Sequence, residues 1–215
     1  MISNDTQQRQ SIVAAVQRLD ALGMNRGSTG NVSARSGQGM LITPTGMGAE
    51  VQPQDLVWVG WDGTLLGDWK PSSEWHFHQA AYLARSDLQA VVHTHSTHAA
   101  ALACLRRPLP AFHYMVAVAG GSDVPLVPYF TFGTTALSDG VAHALKERDA
   151  CLLANHGLVA AGTTVAQAMK VVQEIESLCE VYLKALAVGE PALLSDDEMA
   201  VVINKFRSYG RTARV

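Results

Sequence analysis

The sequence predicts one α/β domain built on a largely antiparallel or mixed sheet. Three observations carry this. The chain has 215 residues, 48% of them hydrophobic and 16% charged, enough to bury a sizeable core. Short β-branched runs alternate with segments whose apolar residues recur at helical spacing. No internal repeat, low-complexity tract or convincing linker interrupts that mixture.

Residues 6–22 are expected to be helical, because Ile12, Val16 and Leu19, with Val13 and Leu22 beside them, share a face. Gly23 is a natural stop. "NVSAR" and "MLIT" read as strands around the turn "SGQG", and "DLVWVGWDGTLLG" as a second hairpin around Asp62-Gly63. In "KPSSEWHFHQAAYLAR", Ser72 or Ser73 can cap a helix that runs to about Arg85. "AVVHTH" is a short strand, and "THAAALACL" turns helical. "DVPLVPY" is extended and broken by prolines. "LSDGVAHALKE" is a helix, and "ACLLANHGLVAAG" is a strand, a turn and a strand. Residues 164–187 form the longest helix, with Ala168, Val172, Ile175, Cys179, Tyr182 and Leu186 along one face. In the last helix, Ser195 and Glu198 form a capping box.

Composition narrows the function classes. The formal net charge is −3, and no basic cluster exceeds the pair Arg106–Arg107, so a nucleic-acid partner is not expected. Cys104, Cys151 and Cys179 form no CxxC and cannot all pair, which suits a reducing compartment. The opening "MISNDTQQRQ" is polar and unlike a secretory signal. No apolar run approaches the roughly 20 residues of a membrane helix. The expectation is a cytoplasmic protein with no membrane partner.

Polar residues that follow apolar strands mark the candidate site. His93 and His95 are two apart on a strand and project to one face, which suits two imidazoles on one ion. The same pair equally suits histidines hydrogen-bonded inside the fold. His98 falls in the helix start and points elsewhere. His156 follows a second apolar strand, directly before a glycine, and is a third candidate ligand. Glu74, in the first turn of a helix, is a fourth, although a carboxylate there also complements the helix dipole. Three imidazoles and one carboxylate suit Zn²⁺. His76 and His78 diverge on their helix and read as non-ligands; His113 and His143 read as structural or surface residues.

Nucleotide-cradling glycine motifs are absent. Three small-residue loops remain, "GSTGN", "TPTG" and "PSSE", and each offers hydroxyls and backbone N–H groups to an anion. Singly each reads as a turn; beside a metal they suggest a small phosphorylated substrate. The five lysines, Lys70, Lys146, Lys170, Lys184 and Lys205, lie mostly on polar helix faces or in a turn, which disfavours Schiff-base chemistry.

"GNVSAR", "LITPTG", "PSSEWHFH", "VVHTHSTHA", "HYMVAVAGG", "YFTFGT" and "NHGLVA" occur in that order. This series resembles the class II aldolase and epimerase family, and the similarity runs from the first helix to "FRSYG". The resemblance implies a three-layer α/β/α sandwich around a mostly antiparallel sheet, assembled as a C4 homotetramer with sites at subunit interfaces. It implies one Zn²⁺ per subunit, held by His93, His95 and His156, with Glu74 as the metal-associated residue that doubles as acid/base. Its phosphate loops match Gly30 and Asn31, Thr45 and Gly46, and Ser72 and Ser73. A tyrosine supplied by the neighbouring subunit matches Tyr114. Aromatic residues near the aldehyde end match Phe132 and, in the tail, Phe206 and Tyr209; the closing "RTARV" matches no pattern. The implied reaction cleaves a ketose 1-phosphate, L-fuculose 1-phosphate or a related 5-deoxyketose 1-phosphate, to dihydroxyacetone phosphate and a short aldehyde such as L-lactaldehyde. Rival readings are an L-ribulose-5-phosphate 4-epimerase-like enzyme, a methylthioribulose-1-phosphate aldolase or dehydratase, and a silent zinc-bearing assembly protein. Against the epimerase stand Glu74, where epimerases resemble an aspartate, and the aldolase-like "HYMVAVAGG".

Overall fold

A computed structural model describes residues 2–208. Its elements run α1 (Ile2–Ala21), β1 (Asn31–Ser36), β2 (Gly39–Ile42), β3 (Val57–Gly60), β4 (Leu65–Leu66), α2 (Trp75–Ala84), β5 (Ala90–Thr94), α3 (Thr97–Cys104), β6 (Leu126–Val127), α4 (Thr135–Ala144), β7 (Ala150–Leu153), β8 (Gly157–Gly162), α5 (Val165–Leu186) and α6 (Asp196–Ser208). Single 3-10 segments cover Pro53–Asp55 and Tyr114–Ala119. The strands form one sheet in the order β4-β3-β2-β1-β5-β8-β7-β6. Every neighbouring pair is antiparallel except β6 with β7.

Alternation along the strands divides the core in two. Val32, Ala34, Leu41, Ala90, Val92, Leu158 and Ala160 face α1, α3 and α5. Met40, Ile42, Val57, Val59, Val91, Val159 and Ala161 face α2 and α4. The expected three-layer α/β/α sandwich around a mostly antiparallel sheet is therefore the observed architecture. A continuous apolar run such as "AVV" in β5 is what a strand covered on both faces requires. No helix among the described residues is long and apolar enough to cross a membrane.

The local signals translate as expected at several boundaries. Gly23 ends α1 with φ 67°, and the Met24 N–H returns to Leu19 O. Ser36 pairs with Gly39, closing the first hairpin over Gly37 and Gln38. The Ser195–Glu198 capping box is present, with the Ser195 N–H donating to Glu198 Oε2 at 2.8 Å. Along α5, Ala168, Val172, Ile175, Cys179 and Tyr182 are buried, and Leu186 packs at the margin.

Other expectations shift. Helix α1 begins at Ile2 rather than residue 6, and Leu22 is 39% exposed, because the chain turns at Gly23 before that side chain can reach the core. Helix α4 starts earlier and stops earlier than expected, because Thr134 caps it by accepting from the Leu137 N–H. Neither Ser72 nor Ser73 caps α2; Glu74 occupies the capping position, with no side-chain cap hydrogen bond. The proline-broken segment contributes only the two residues of β6.

Helix α3 is capped from a distance. Ser96 stands at its N-cap without a side-chain cap bond. Glu176 of α5 serves instead: its Oε1 accepts from the His98 N–H at 2.9 Å and its Oε2 from the Ala99 N–H at 2.8 Å. The same Oε1 lies 2.9 Å from His98 Nδ1, which directs that ring away from His93 and His95. Replacing Glu176 with Ala orphans two helix-terminal donors, so we expect chemical denaturation to show about 1–2 kcal/mol of lost stability. An unchanged unfolding midpoint would mean that water caps α3 equally well.

Candidate metal centre and active site

The site is assembled at one end of the sheet by strand register. β5 lies between β1 and β8, and His93, in phase with Val91, points into the layer that holds α2. Asn31, the first residue of β1, pairs directly with His93. His95 follows the last residue of β5, and His156 sits in the turn between β7 and β8. Two glycines let these backbones close together. A Cβ on Gly157 would lie 2.3 Å from Thr94 O, and one on Gly30, whose φ is +73°, would lie 2.6 Å from His93 O.

Glu74 arrives from the opposite side, at the start of α2. Its backbone leaves the helix at φ −103°, ψ 9°, and its carboxylate turns away from the helix N–H groups toward the histidines. Oε2 lies 3.3 Å from His93 Nε2, and Oε1 lies 3.1 Å from His156 Nε2. Asn31 Nδ2 donates to Oε2 at 2.9 Å. The Nε2 atoms of His93 and His95 stand 3.0 Å apart. All four side chains thus present one donor atom to a common centre, the four lying within 4.8 Å of one another.

The protonation states follow from the surroundings. His93 is fully buried, and its Nδ1 is 3.0 Å from Leu158 O. A carbonyl can only accept, so Nδ1 carries the proton and Nε2 offers its lone pair to the centre. Burial pushes the His93 pKa down to about 3, outweighing the upward pull of the Glu74 carboxylate. Burial lowers His95 as well. Burial alone would raise Glu74, yet the imidazoles of His93 and His156 and the Asn31 amide hold its carboxyl well below the usual range.

These residues fit a divalent cation. Glu74 Oε1 is buried without a hydrogen bond, despite its 3.1 Å approach to His156 Nε2. An ionised, buried oxygen in that condition calls for a positive partner. Ligand atoms around a tetrahedral ion with bonds of 2.0–2.1 Å are about 3.4 Å apart, comparable to the 3.0, 3.1 and 3.3 Å separations here.

A cavity of about 400 Å³ opens over the centre. Gly30, Asn31, Thr45, Gly46, Ser72, Ser73, Glu74, His95, Phe132 and His156 all line it, so the three small-residue loops converge as expected. Ser28 and Thr29, inside the quoted "GSTGN", line it too, as do Tyr129, Phe130 and Asn155, which were not singled out. Asn155 carried one readable signal: it precedes His156 in a turn, and it adopts φ 56°, a conformation asparagine tolerates. No lysine or arginine among the described residues lines the cavity.

Two expected residues lie elsewhere, and a third is not described. Tyr114 is 51% exposed on the 3-10 segment and does not line this cavity. Phe206 of α6 packs beside Ala117, Val118 and Ile203, around a different depression. Tyr209 falls outside the described residues. His78, read as a non-ligand, is buried against Asn31 and Ser33 rather than facing the centre.

The geometry can now be set beside known proteins. Residues 10–183 match the family described as Class II Aldolase and Adducin N-terminal domain. A 5-methylthioribulose-1-phosphate/5-deoxyribulose-1-phosphate aldolase of Rhodospirillum rubrum is 46% identical over 208 residues, 96% of this chain and 94% of that protein. An L-fuculose phosphate aldolase of Escherichia coli is 46% identical over 201 residues, 93% of this chain and 94% of that protein. A solved L-fuculose 1-phosphate aldolase superposes with a TM-score of 0.91 at 39% identity, covering 94% of this chain and 97% of its own. The chain belongs to the class II aldolase family and is an aldolase of the lyase class.

Proposed function

We propose that this aldolase uses zinc to cleave a ketose 1-phosphate, L-fuculose 1-phosphate or a related deoxyketose 1-phosphate, to dihydroxyacetone phosphate and a short aldehyde. The observation that carries this is the buried Glu74 carboxylate, with one orphaned oxygen, packed among three imidazoles at the floor of a hydroxyl-lined cavity. Three neutral imidazoles and one carboxylate are a donor set suited to Zn²⁺, with His93, His95, His156 and Glu74 as the holding residues. The ion would act as a Lewis acid that offsets negative charge on the substrate oxygens as C3–C4 breaks.

The chain's own residues supply the rest. Cleavage sends the C3–C4 electron pair to C3 and needs the C4 hydroxyl to lose its proton, so that C4 becomes the aldehyde carbon. Glu74 takes up a proton as substrate enters and delivers it to C3, completing dihydroxyacetone phosphate. Tyr114 relays the proton of the C4 hydroxyl to solvent, so that one proton is taken up and one released in each cleavage. Its exposed position away from this cavity suits donation into a neighbouring subunit's site, in a homotetramer. The hydroxyl and backbone groups of Asn31, Thr45, Ser72 and Ser73 hold the phosphate with fixed donors. Phe132 lines the aldehyde end, with Phe206 and Tyr209 joining when the tail closes.

The sugars named for the Rhodospirillum rubrum relative and the solved structure differ in the fragment beyond C4, while each carries a 1-phosphate. An apolar wall resolves one methyl or methylene by only about 1–3 kcal/mol. A retro-aldol assay with purified protein should therefore release dihydroxyacetone phosphate from several ketose 1-phosphates and scarcely from the free sugars. Comparable rates for free and phosphorylated ketose would overturn the phosphate assignment, and epimerised or dehydrated product without dihydroxyacetone phosphate would overturn the reaction. Chelation should abolish turnover, and zinc should restore it at one ion per chain; full activity in metal-depleted protein would contradict the zinc reading.

Glu74→Gln keeps shape but cannot exchange a proton. It should fold normally and lose about 10²-fold or more in turnover. Mixing Glu74→Gln chains with Tyr114→Phe chains should recover part of the activity, because some sites then pair an intact Glu74 with an intact Tyr114 from the next chain. No recovery after verified subunit exchange would place Tyr114 in its own subunit's site or outside catalysis.

A further inference from the structure

Behind Asn31 runs a buried line of polar groups that the chemistry above does not use. Asn31 Oδ1 meets His78 Nε2 at 2.5 Å. His78 Nδ1 meets Ser33 Oγ at 2.7 Å, and Ser33 Oγ meets the Tyr82 hydroxyl at 2.8 Å. His78 and Ser33 have no exposed surface, and Tyr82 is 1% exposed. All four sit on the side of the sheet that faces α2, between the strand that carries Asn31 and the helix that follows Glu74.

The direction of every bond in this line follows from the charge on Glu74. An ionised carboxylate accepts only, so the Asn31 amide must turn its N–H groups toward Oε2. Its oxygen then faces His78, and that oxygen also accepts only. His78 must therefore be protonated at Nε2. Burial keeps the ring neutral, so Nδ1 is bare and Ser33 must donate to it. With its proton committed, Ser33 is left to accept from Tyr82. The line is one-way, Tyr82 to Ser33 to His78 to Asn31 to Glu74. Reversing any bond would put an oxygen lone pair or a bare nitrogen against another acceptor in a dry interior, where unmatched polar groups are costly.

We propose that His78 is a positioning residue: anchored at Nδ1 by Ser33 and donating from Nε2 to Asn31 Oδ1, it fixes the Asn31 amide so that N–H groups and not an oxygen face Glu74. This rests on the reading of Glu74 as the residue that moves a proton. Without the lock, the amide is free to rotate by half a turn and place Oδ1 against the carboxylate, which pushes Glu74 out of register with the substrate.

Substituting His78 itself endangers the fold, so the test uses its neighbours. Tyr82→Phe and Ser33→Ala each delete one buried hydroxyl. Tyr82→Phe leaves Ser33 able to donate to His78; Ser33→Ala strips the hydroxyl that anchors the ring at Nδ1. Position errors near 1 Å cost up to roughly 10²-fold in rate, so Ser33→Ala should lose about tenfold or more in kcat while Tyr82→Phe stays within about threefold. Unfolding midpoints of the two variants should fall by similar amounts, which separates positioning from general loosening. Nitrogen NMR of histidine-labelled protein, metal-free and zinc-loaded, should show His78 as neutral Nε2–H in the wild type and in Tyr82→Phe, with its ring signals shifted in Ser33→Ala as the Nδ1 contact is lost. Equal kcat losses in the two variants, or an Nδ1–H tautomer in the wild type, would overturn the proposal. Retained turnover in Glu74→Gln would instead fault the role of Glu74, and the NMR readout would stand apart from it.

Discussion

A carboxylate withdrawn from water has to be partnered, and the placement of Glu74 depends on elements far apart in the chain. His93 comes from β5, His156 from the β7–β8 turn and Asn31 from the first residue of β1. The antiparallel register of β1, β5 and β8 brings these groups to one end of the sheet, and α2 delivers the carboxylate across from them. The electrostatics run the same way: burial keeps His93 neutral against the pull of Glu74, while the neighbouring imidazoles and the Asn31 amide hold the Glu74 carboxyl well below its usual range despite burial. Such a cluster could hold a cation.

The rest of the site follows from that constraint. Because the donors come from strand ends and turns, the cavity above them is walled by loops, and these are rich in small hydroxyl residues. Loops of this kind can hold an anion through hydroxyl and backbone N–H groups, and no lysine or arginine among the described residues lines the cavity. Two of the similar proteins are named for 1-phosphorylated sugars that differ at the far end, a 5-methylthioribulose or 5-deoxyribulose 1-phosphate and L-fuculose 1-phosphate.

Much of this was legible in the sequence. Two-residue periodicity placed His93 and His95 on one face, and each metal candidate followed an apolar strand or a turn-rich helix start. Both signals are local. Glu74 shows where local reading stops: a glutamate near a helix start looks like a dipole partner, and only the path of the chain before α2 turns its carboxylate to the histidines instead. His78 illustrates the same limit from the other side. Helical spacing correctly set it apart from the ligands, but its link to Asn31 spans 47 residues and leaves no trace in spacing. Tyr114 and Phe206 matched a family pattern, and within one chain neither lines the cavity.

The central claim is that His93, His95 and His156 converge through their Nε2 atoms to hold an ion beside Glu74. Anomalous diffraction from crystals of the active protein, collected on both sides of the zinc absorption edge, tests it most directly. The account expects one peak per chain within bonding distance of those three Nε2 atoms. No peak in active protein, or a peak bound through other residues, would contradict it.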